Sequence, residues 1–472
     1  MVGAGAAGLF VALEAAEAGG RVVLVSRKPL AESASFYAQG GLAAAMAPDD
    51  SPARHAEDTL EAGRGLCDRG AVEALVTESP GAVQSLRRRG VRFDLQPGGE
   101  LALGLEGGHS ARRIVHAGGA ETGRALTSRL AELVAAEPNV DVLEGASAMA
   151  LISDGECCSG VLTDRGPLAA TATVLATGGG AALWSRTTNP RGAIGAGSVL
   201  AHAAGAELAD LELCQFHPTA LALPGARHDG WLITEAVRGE GAVLVDAAGG
   251  RFTDELAPRD QVTAAILDRI AADGTASVGL DLRPVPLERF PTIVAKLAAA
   301  GIDPGTGPVP VAPAAHYLIG GVQTDLSGHS SLRGLLAVGE AACTGLHGAN
   351  RLASNSLSEC FVFGGRAARA ALTLSPGAAA STEPGDWRFT GPTEETRRAV
   401  WELAGPVRDA ERLERLRSQA YPLAALVAAA ALAREESRGV HRRSDRPRLD
   451  PELDGMHLIV GADGTSRFEL WS

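Results

Sequence analysis

An α/β fold with a Rossmann-like first domain is what this sequence predicts, on three observations. The chain opens Val2-Gly3-Ala4-Gly5-Ala6-Ala7-Gly8 and runs into an Ala-rich helical stretch that stops at Gly19-Gly20. Two later strands also run into glycine turns, Thr173–Gly180 and Leu335–Glu340. Between them, Leu211–Ala315 shifts to a proline-bearing mixture of short strands and helices. A parallel sheet built from separated strand–glycine–helix units, interrupted by an α+β insertion, accounts for all three.

Each element has its own justification. After Gly19-Gly20, Arg21–Val25 is a buried parallel strand by its apolar run. Only Met1 and Val2 precede the first glycine, where a buried strand normally supplies about five residues. The first strand is therefore expected to be nearly absent and the sheet weakened, as if the start were trimmed or misplaced. Ser33–Asp50 is polar and glycine-rich, and helical patterning follows over Arg54–Glu61 and Ala71–Arg89. Pro376–Pro384 is a Pro/Gly/Ala linker, beyond which the chain is helical, Ala/Arg-rich and ends in a polar tail. No solenoid repeat is present.

Composition bounds the function. With 472 residues, more than one core is expected. The net charge of −13 and pI near 5.4 argue against nucleic acid or an anionic membrane as partner. An anionic substrate would need a local positive field, and nearly all positive charge here is arginine, since Lys28 and Lys296 are the only lysines. Arginine stays charged and grips carboxylates with a bidentate fork. The six cysteines form no CxxC pair and no metal-ligand spacing, which fits a reducing cytosol and no metal. The longest apolar run, Leu423–Ala433, is too short to cross a bilayer. A soluble, cytoplasmic protein is expected.

Gly3, Gly5 and Gly8, with Ala6 at the helix start, form a pyrophosphate cradle in which glycine admits close backbone approach and the helix N-terminus offers free N–H groups. The position that usually carries a ribose-binding acid is Ser26, whose hydroxyl can still make one hydrogen bond. Further glycine turns at Thr177–Gly180 and Gly339-Glu340 imply a long ligand held at several points, and FAD suits this better than a transient nicotinamide. Glu340 is the candidate ribityl or ribose contact.

Motif blocks then run through nearly the whole chain. They are Ser35-Phe36-Tyr37-Ala38-Gln39-Gly40-Gly41, Glu106-Gly107-Gly108-His109-Ser110, Gln215-Phe216-His217-Pro218-Thr219 and Thr234-Glu235-Ala236-Val237-Arg238-Gly239-Glu240-Gly241. Leu256-Ala257-Pro258-Arg259-Asp260, Pro313-Ala314-Ala315-His316-Tyr317, the run His347-Gly348-Ala349-Asn350-Arg351-Leu352-Ala353-Ser354-Asn355-Ser356-Leu357, and Glu436-Ser437-Arg438-Gly439-Val440-His441 follow. In this ordered set the chain resembles the flavoprotein subunits of succinate dehydrogenase and fumarate reductase, and within them the L-aspartate oxidase branch.

The resemblance implies a discontinuous FAD-binding domain (residues 1–210 and 318–382), an inserted capping domain (211–317) and a C-terminal helical domain (383–472), with substrate between FAD and cap. It implies FAD contacts at Gln39, Gly40, Gly41, Asn355, Ser356 and Leu357. The related dehydrogenases bond FAD covalently to a histidine just before the Ala-Gln-Gly-Gly block; that place is Ala34 here, so FAD is expected to be non-covalent. Where the family carries Gly-Asp-Gly, this chain has Gly195-Ala196-Gly197, which is expected to lower cofactor affinity.

A dicarboxylate needs two cationic or donor-rich grips. His217, His316, Arg259 and Arg351 can supply them, each charged hydrogen bond contributing roughly 1.5–3 kcal/mol. A lone histidine is more often structural, but each of these sits in a motif block. Thr234 could donate its hydroxyl, and Gln215 could support flavin or substrate. Glu106 discriminates, because its carboxylate answers an ammonium that succinate lacks, and glutamate there resembles the oxidase branch. The implied reaction is FAD-dependent oxidation of L-aspartate to iminosuccinate, with oxygen or fumarate as acceptor, as the first step of NAD biosynthesis through quinolinate. Quinolinate synthase is then an expected partner. Arg259 matches the family's proton-transferring arginine, yet guanidinium is an awkward base, so the base stays open. The alternatives are a soluble fumarate reductase or succinate dehydrogenase flavoprotein, which Glu106 and Ala34 oppose, and a catalytically weak flavin-binding paralogue, which the intact histidines and arginines oppose.

Overall fold

The computed structural model describes residues 1–30, 32–375 and 389–471. Its parallel sheet follows from the strand–glycine–helix units. Val22–Ser26 pairs in parallel with Val140–Glu144, and Thr173–Leu175 pairs in parallel with Leu335–Ala337. The two-residue stub at the start lies between these pairs. Val2 bridges both Val25 and Leu175, and four backbone hydrogen bonds of 2.8–2.9 Å tie Met1, Val2 and Gly3 to the neighbouring strands. The short first strand therefore still joins the two halves of the sheet, because a backbone needs only two residues to bond on both sides.

The first helix, Ala6–Glu17, is apolar nearly all round, as a helix buried on several sides must be. It packs against Thr122–Ala136 and Asn355–Thr373. The expected helices are found at Pro52–Ala62 and Arg69–Arg88. Ser51 and Asp68 cap them by accepting from Arg54 N and Ala71 N, each satisfying a helix-end donor. The third strand–turn unit is shorter than its apolar run: the strand ends at Ala337 and a 3-10 turn occupies Gly339–Ala341.

Within the compositional insertion lies a four-stranded antiparallel sheet in the order Cys214–Leu221, Val309–Leu318, Val278–Asp281, Val243–Val245. The helices Arg259–Asp273 and Pro291–Ala299 belong to the same stretch, and Val262, Ile266, Ile293 and Leu297 share one apolar cluster with the strands. Cys214–Leu221 is buried at every residue and carries register shifts at Gln215/Phe216 and His217/Ala220. Such irregularities re-aim side chains beside a site.

The C-terminal segment has the helices Glu394–Leu403, Ala410–Leu416 and Pro422–Ala433. It is not wholly helical. Met456–Val460 and Ser466–Leu470 form a hairpin whose first strand pairs with Leu208–Ala209 in a five-stranded sheet. The expected polar tail is thus partly a strand pair: Leu458, Ile459 and Val460 alternate too little to read as an amphipathic strand because all three are buried. Buried ion pairs also fasten this segment, Arg434 to Glu212 at 2.6 Å and to Glu436 at 3.2 Å, and a hydrogen bond joins His457 Nδ1 to Asp210 Oδ2 at 2.5 Å. Charges so deep require partners, since an unpaired one would cost several kcal/mol. The expected linker Pro376–Pro384, and with it the boundary at 382/383, lies outside the described residues. All six cysteines are free, no group of side chains among the described residues could hold a metal ion, and no described helix is long and apolar enough to cross a membrane.

Candidate active site

One cavity of about 490 Å³ collects most of the residues singled out by sequence. Its walls include Gly3, Gly5, Ala6, Ser26, Gln39, Gly40, Gly41, Glu340, Ser356 and Leu357, and also Glu106, His217, Thr234, Arg259, His316 and Arg351. Three expected residues are absent from the walls, and each has a reason. Gly8 is a packing glycine, for a Cβ there would run into the Gly3 carbonyl. Asn355 is committed elsewhere, its Oδ1 bonded to His55 Nε2 at 2.8 Å and its Nδ2 donating to Thr59 Oγ1 at 3.1 Å. Gln215 sits behind the wall and serves the arginines, as described below. Ala196, expected to weaken the cofactor site, is also absent from the walls and opens the helix Ala196–Ala203.

The end of the cavity lined by Gly3, Gly5 and Ala6 is built by backbone. Gly3 has φ +106°, and a Cβ there would collide with the Ala176 carbonyl, so the first turn needs glycine. Gly5 caps the first helix without a side chain, leaving donors of that helix start facing the cavity, while Ser35 Oγ accepts from Ala6 N at 3.2 Å. Ser26 spends its hydroxyl proton on Lys28 O at 2.6 Å, so it offers lone pairs only. Burial pushes the Glu340 carboxyl up to about 8, against the Leu318 N–H that bonds it at 3.0 Å. Near neutral pH that side chain is mostly protonated and can donate as well as accept. Gln39 Oε1 is buried without a protein partner, an acceptor that awaits a donor from a ligand. These features fit FAD: a glycine cradle for pyrophosphate, and polar groups at several points along one cavity.

The other end is a ring of charge. Arg259 begins the helix Arg259–Asp273, donating from Nε to Glu235 Oε2 at 2.6 Å and from Nη1 to Gln215 Oε1 at 3.0 Å. Glu235 also pairs with Arg238 at 3.0 Å and accepts from Gly107 N at 3.0 Å. Burial would raise its carboxyl, but Arg238 and Arg259 outweigh that and hold it below the ordinary range. Arg351 has no carboxylate bonded to it among the described residues. It donates to Ser356 Oγ at 2.8 Å and to Gln215 Oε1 at 3.3 Å, and lies 4.8 Å over the Tyr317 ring. Burial, reinforced by the charge of Arg259, lowers it to about 10. An anion is what this guanidinium lacks.

His217 and His316 arise from the paired strands Cys214–Leu221 and Val309–Leu318, with ring centroids 5.0 Å apart. Burial and then the positive charge of Arg259 push both imidazoles well below their ordinary value, so both are neutral. Glu106, almost wholly buried, faces the same cavity and accepts from Ser354 Oγ at 2.7 Å. Ser354 holds the left-handed conformation at φ 61°, and its Oγ in turn accepts from Gly41 N at 3.2 Å. Thr234 leaves its hydroxyl nearly free, with one long contact from Ala236 N at 3.5 Å.

Sequence reasoning passed over Glu235, Ser354 and Tyr317, although all three stand inside quoted blocks. One signal was available for Glu235: a carboxylate three residues before Arg238 and in reach of a second arginine block reads as a counter-ion.

Comparison with known proteins decides the family. Residues 1–357 match the FAD binding domain family, and residues 408–468 match the fumarate reductase flavoprotein C-terminal family. The chain is 41% identical to an L-aspartate oxidase of Streptomyces coelicolor, over 98% of this chain and 90% of that protein, and 44% identical to one of Caulobacter vibrioides, over 98% and 96%. A Nostoc L-aspartate oxidase is 51% identical over 78% of this chain, the match spanning 66% of that protein.

The chain belongs to the L-aspartate oxidase family.

It is an FAD-dependent oxidoreductase of that family, with the fold of the fumarate reductase flavoproteins. Escherichia coli quinol fumarate reductase superposes with a TM-score of 0.89 at 29% identity, covering 100% of this chain and 95% of that one. A quinol-fumarate reductase with menaquinol molecules gives 0.88 at 29%, covering 100% and 97%.

Proposed function

We propose that the chain oxidises L-aspartate to iminosuccinate, passing the electrons to oxygen, with release of hydrogen peroxide, or to fumarate, with release of succinate. The observation that carries this reading is the carboxylate of Glu106, bonded by Ser354 Oγ and in no ion pair among the described residues, on a cavity that also presents Arg259, Arg351 and two neutral imidazoles. Of the other acids on its walls, Glu235 is paired with Arg238 and Arg259, and Glu340 is mostly protonated near neutral pH. The cations and N–H donors suit two carboxylates, and the unpaired Glu106 suits an ammonium. A plain dicarboxylate would gain nothing from Glu106.

The proposed site works by placement. Arg351, lacking a bonded counter-ion, grips one substrate carboxylate; His217, His316 and Thr234 meet the other oxygens; Glu106 seats the ammonium. Bound FAD, held non-covalently because Ala34 carries no bonding side chain, supplies the two-electron acceptor for the Cα–H bond. Arg259 stands by the cavity as a proton carrier in fumarate reduction, with Glu235 fixing its position. Its guanidinium is a poor base, and no group is assigned to take the proton of the substrate amine. Gly3, Gly5, Ala6, Gly40, Gly41, Gln39, Ser26, Ser356, Leu357 and Glu340 are the proposed FAD contacts.

We read residues 211–317 as a cap over an FAD-binding domain of 1–210 and 318–382, with 383–472 beyond. In the cell the product is the unstable imine from which quinolinate is made, so the reading places the chain in the cytoplasm, at the first step of NAD biosynthesis, with quinolinate synthase as its partner. The test is a peroxide assay on FAD-supplemented protein given L-aspartate, L-glutamate and succinate. Peroxide from aspartate well above that from succinate supports the reading, and succinate as the better substrate overturns it.

A further inference from the structure

The segment Thr187-Thr188-Asn189 is fastened along the strand that carries His316. Thr188 N and Thr187 Oγ1 both donate to Ala315 O at 3.0 Å, and Asn189 Nδ2 donates to His316 O at 2.6 Å. Thr188 Oγ1 then lies 2.7 Å from His316 Nδ1. Which of these two atoms holds the proton decides what His316 presents to the cavity.

Counting lone pairs answers the question. Among the described residues the only other acceptor bonded by the Thr188 hydroxyl is Ala315 O at 3.5 Å, and both lone pairs of that oxygen are already engaged at 3.0 Å. Asn189 Nδ2 approaches Thr188 Oγ1 at 3.5 Å as a donor, taking one of the hydroxyl's own lone pairs. The hydroxyl proton is left with one good destination, Nδ1 of His316. His217 shows the same arrangement by a different route: the Thr219 backbone N–H donates to its Nδ1 at 3.2 Å, while the Thr219 hydroxyl is committed to Ile233 O at 3.0 Å. A neutral imidazole that accepts at Nδ1 carries its proton on Nε2. Both residues line the cavity, and neither Nε2 has a hydrogen-bond partner among the described residues.

We infer that Thr188 is a positioning residue that locks His316 as the Nε2–H tautomer, matching the lock Thr219 places on His217, so that the two rings offer a pair of neutral N–H donors to the bound anion. This deepens the proposed reading of the dicarboxylate site and rests on it for its consequence in turnover. It also bears on the proton left unassigned: neither ring exposes a free lone pair to the cavity, so neither can accept the proton of the substrate amine while its lock holds.

The test uses FAD-loaded protein with ring-15N-labelled histidine, as wild type, Thr188→Val and Thr188→Ser. In the wild type, His316 is expected to show an unprotonated Nδ1 and a protonated Nε2, Thr188→Ser to keep that pattern, and Thr188→Val to lose it. The KM for L-aspartate should rise about tenfold in Thr188→Val, the worth of one hydrogen bond to a charged group, with kcat less affected and with recovery in Thr188→Ser. A protonated Nδ1 in the wild type, or wild-type signals and KM in Thr188→Val, overturns the inference. The nitrogen signals need no substrate, so they judge Thr188 even where the protein fails to oxidise aspartate.

Discussion

Gln215 stands between the two cavity arginines, its Oε1 accepting from Arg259 Nη1 at 3.0 Å and from Arg351 Nε at 3.3 Å. Its Nε2 reaches back to Asn350 Oδ1 at 2.9 Å and Arg351 O at 2.8 Å, so the amide cannot turn over without losing all four bonds. One neutral side chain thereby holds two like charges in register without cancelling either.

Removing that acceptor separates placement from charge. Gln215→Leu is expected to raise the KM for L-aspartate by tenfold or more and to destabilise the fold by about 1–3 kcal/mol, since two buried guanidinium donors lose a partner. Gln215→Glu should also lower stability, because the oxygen that replaces Nε2 faces Asn350 Oδ1 and Arg351 O. It should bind substrate poorly, because its carboxylate competes with the substrate's for the same arginines. Steady-state kinetics with urea unfolding curves on both variants check this.

Glu106 is predicted to matter for one substrate and not the other. Glu106→Gln keeps shape and loses charge, so kcat/KM for L-aspartate should fall about 10–100-fold, the worth of one charged hydrogen bond. Fumarate, having no ammonium, should be reduced by the variant at near wild-type rate. Equal losses on both substrates would remove Glu106 from amine recognition.

The fold and the site were legible in the sequence to different depths. The glycine cradle, the strand–turn units and the charged residues of the cavity were legible because each is set by local chemistry: glycine where φ is positive, arginine and histidine where an anion must be held. The two-residue first strand read as a defect, yet Val2 still bonds on both sides, since pairing depends on strands remote in sequence. Asn355, Gly8 and Gln215 were placed by motif rather than by direction, and only three dimensions show Asn355 turned toward His55 and Thr59. Glu235, Ser354 and Thr188 act through other residues, and nothing local in a sequence marks a side chain whose work is to aim another.

Acid should unfold this protein earlier than an ordinary acidic one. Burial first, and then neighbouring positive groups, depress His109, His217, His316 and His441 below their usual value, and hold His55 at about 3. A base depressed in the folded state is protonated first in the unfolded chain, so stability is complete above pH 6.5 and falls as pH drops below it, by up to about 1.4 kcal/mol per pH unit per imidazole. Between pH 8 and 6.5 the raised carboxyl of Glu340 adds stability as it takes up its proton. Thermal melts from pH 8 to pH 5 should therefore show Tm rising slightly at first and then falling below pH 6.5 as the imidazoles outweigh it. A Tm that rises toward pH 5 contradicts the assignment of buried neutral imidazoles.

Gly8 lies outside the cavity but is predicted to control cofactor retention. In Gly8→Ala the new Cβ meets the Gly3 carbonyl, and relief requires moving the turn that cradles pyrophosphate. The purified variant should carry little FAD, read as the ratio of flavin to protein absorbance. Retention equal to the wild type would show that the turn tolerates the shift.

The most direct test of the whole account is anaerobic: FAD-loaded protein is mixed with L-aspartate, or separately with succinate, and the oxidised flavin absorbance is followed. The account predicts bleaching by L-aspartate at concentrations where succinate leaves the flavin oxidised. Bleaching by succinate alone, or by neither under conditions where dithionite reduces the flavin, would contradict it.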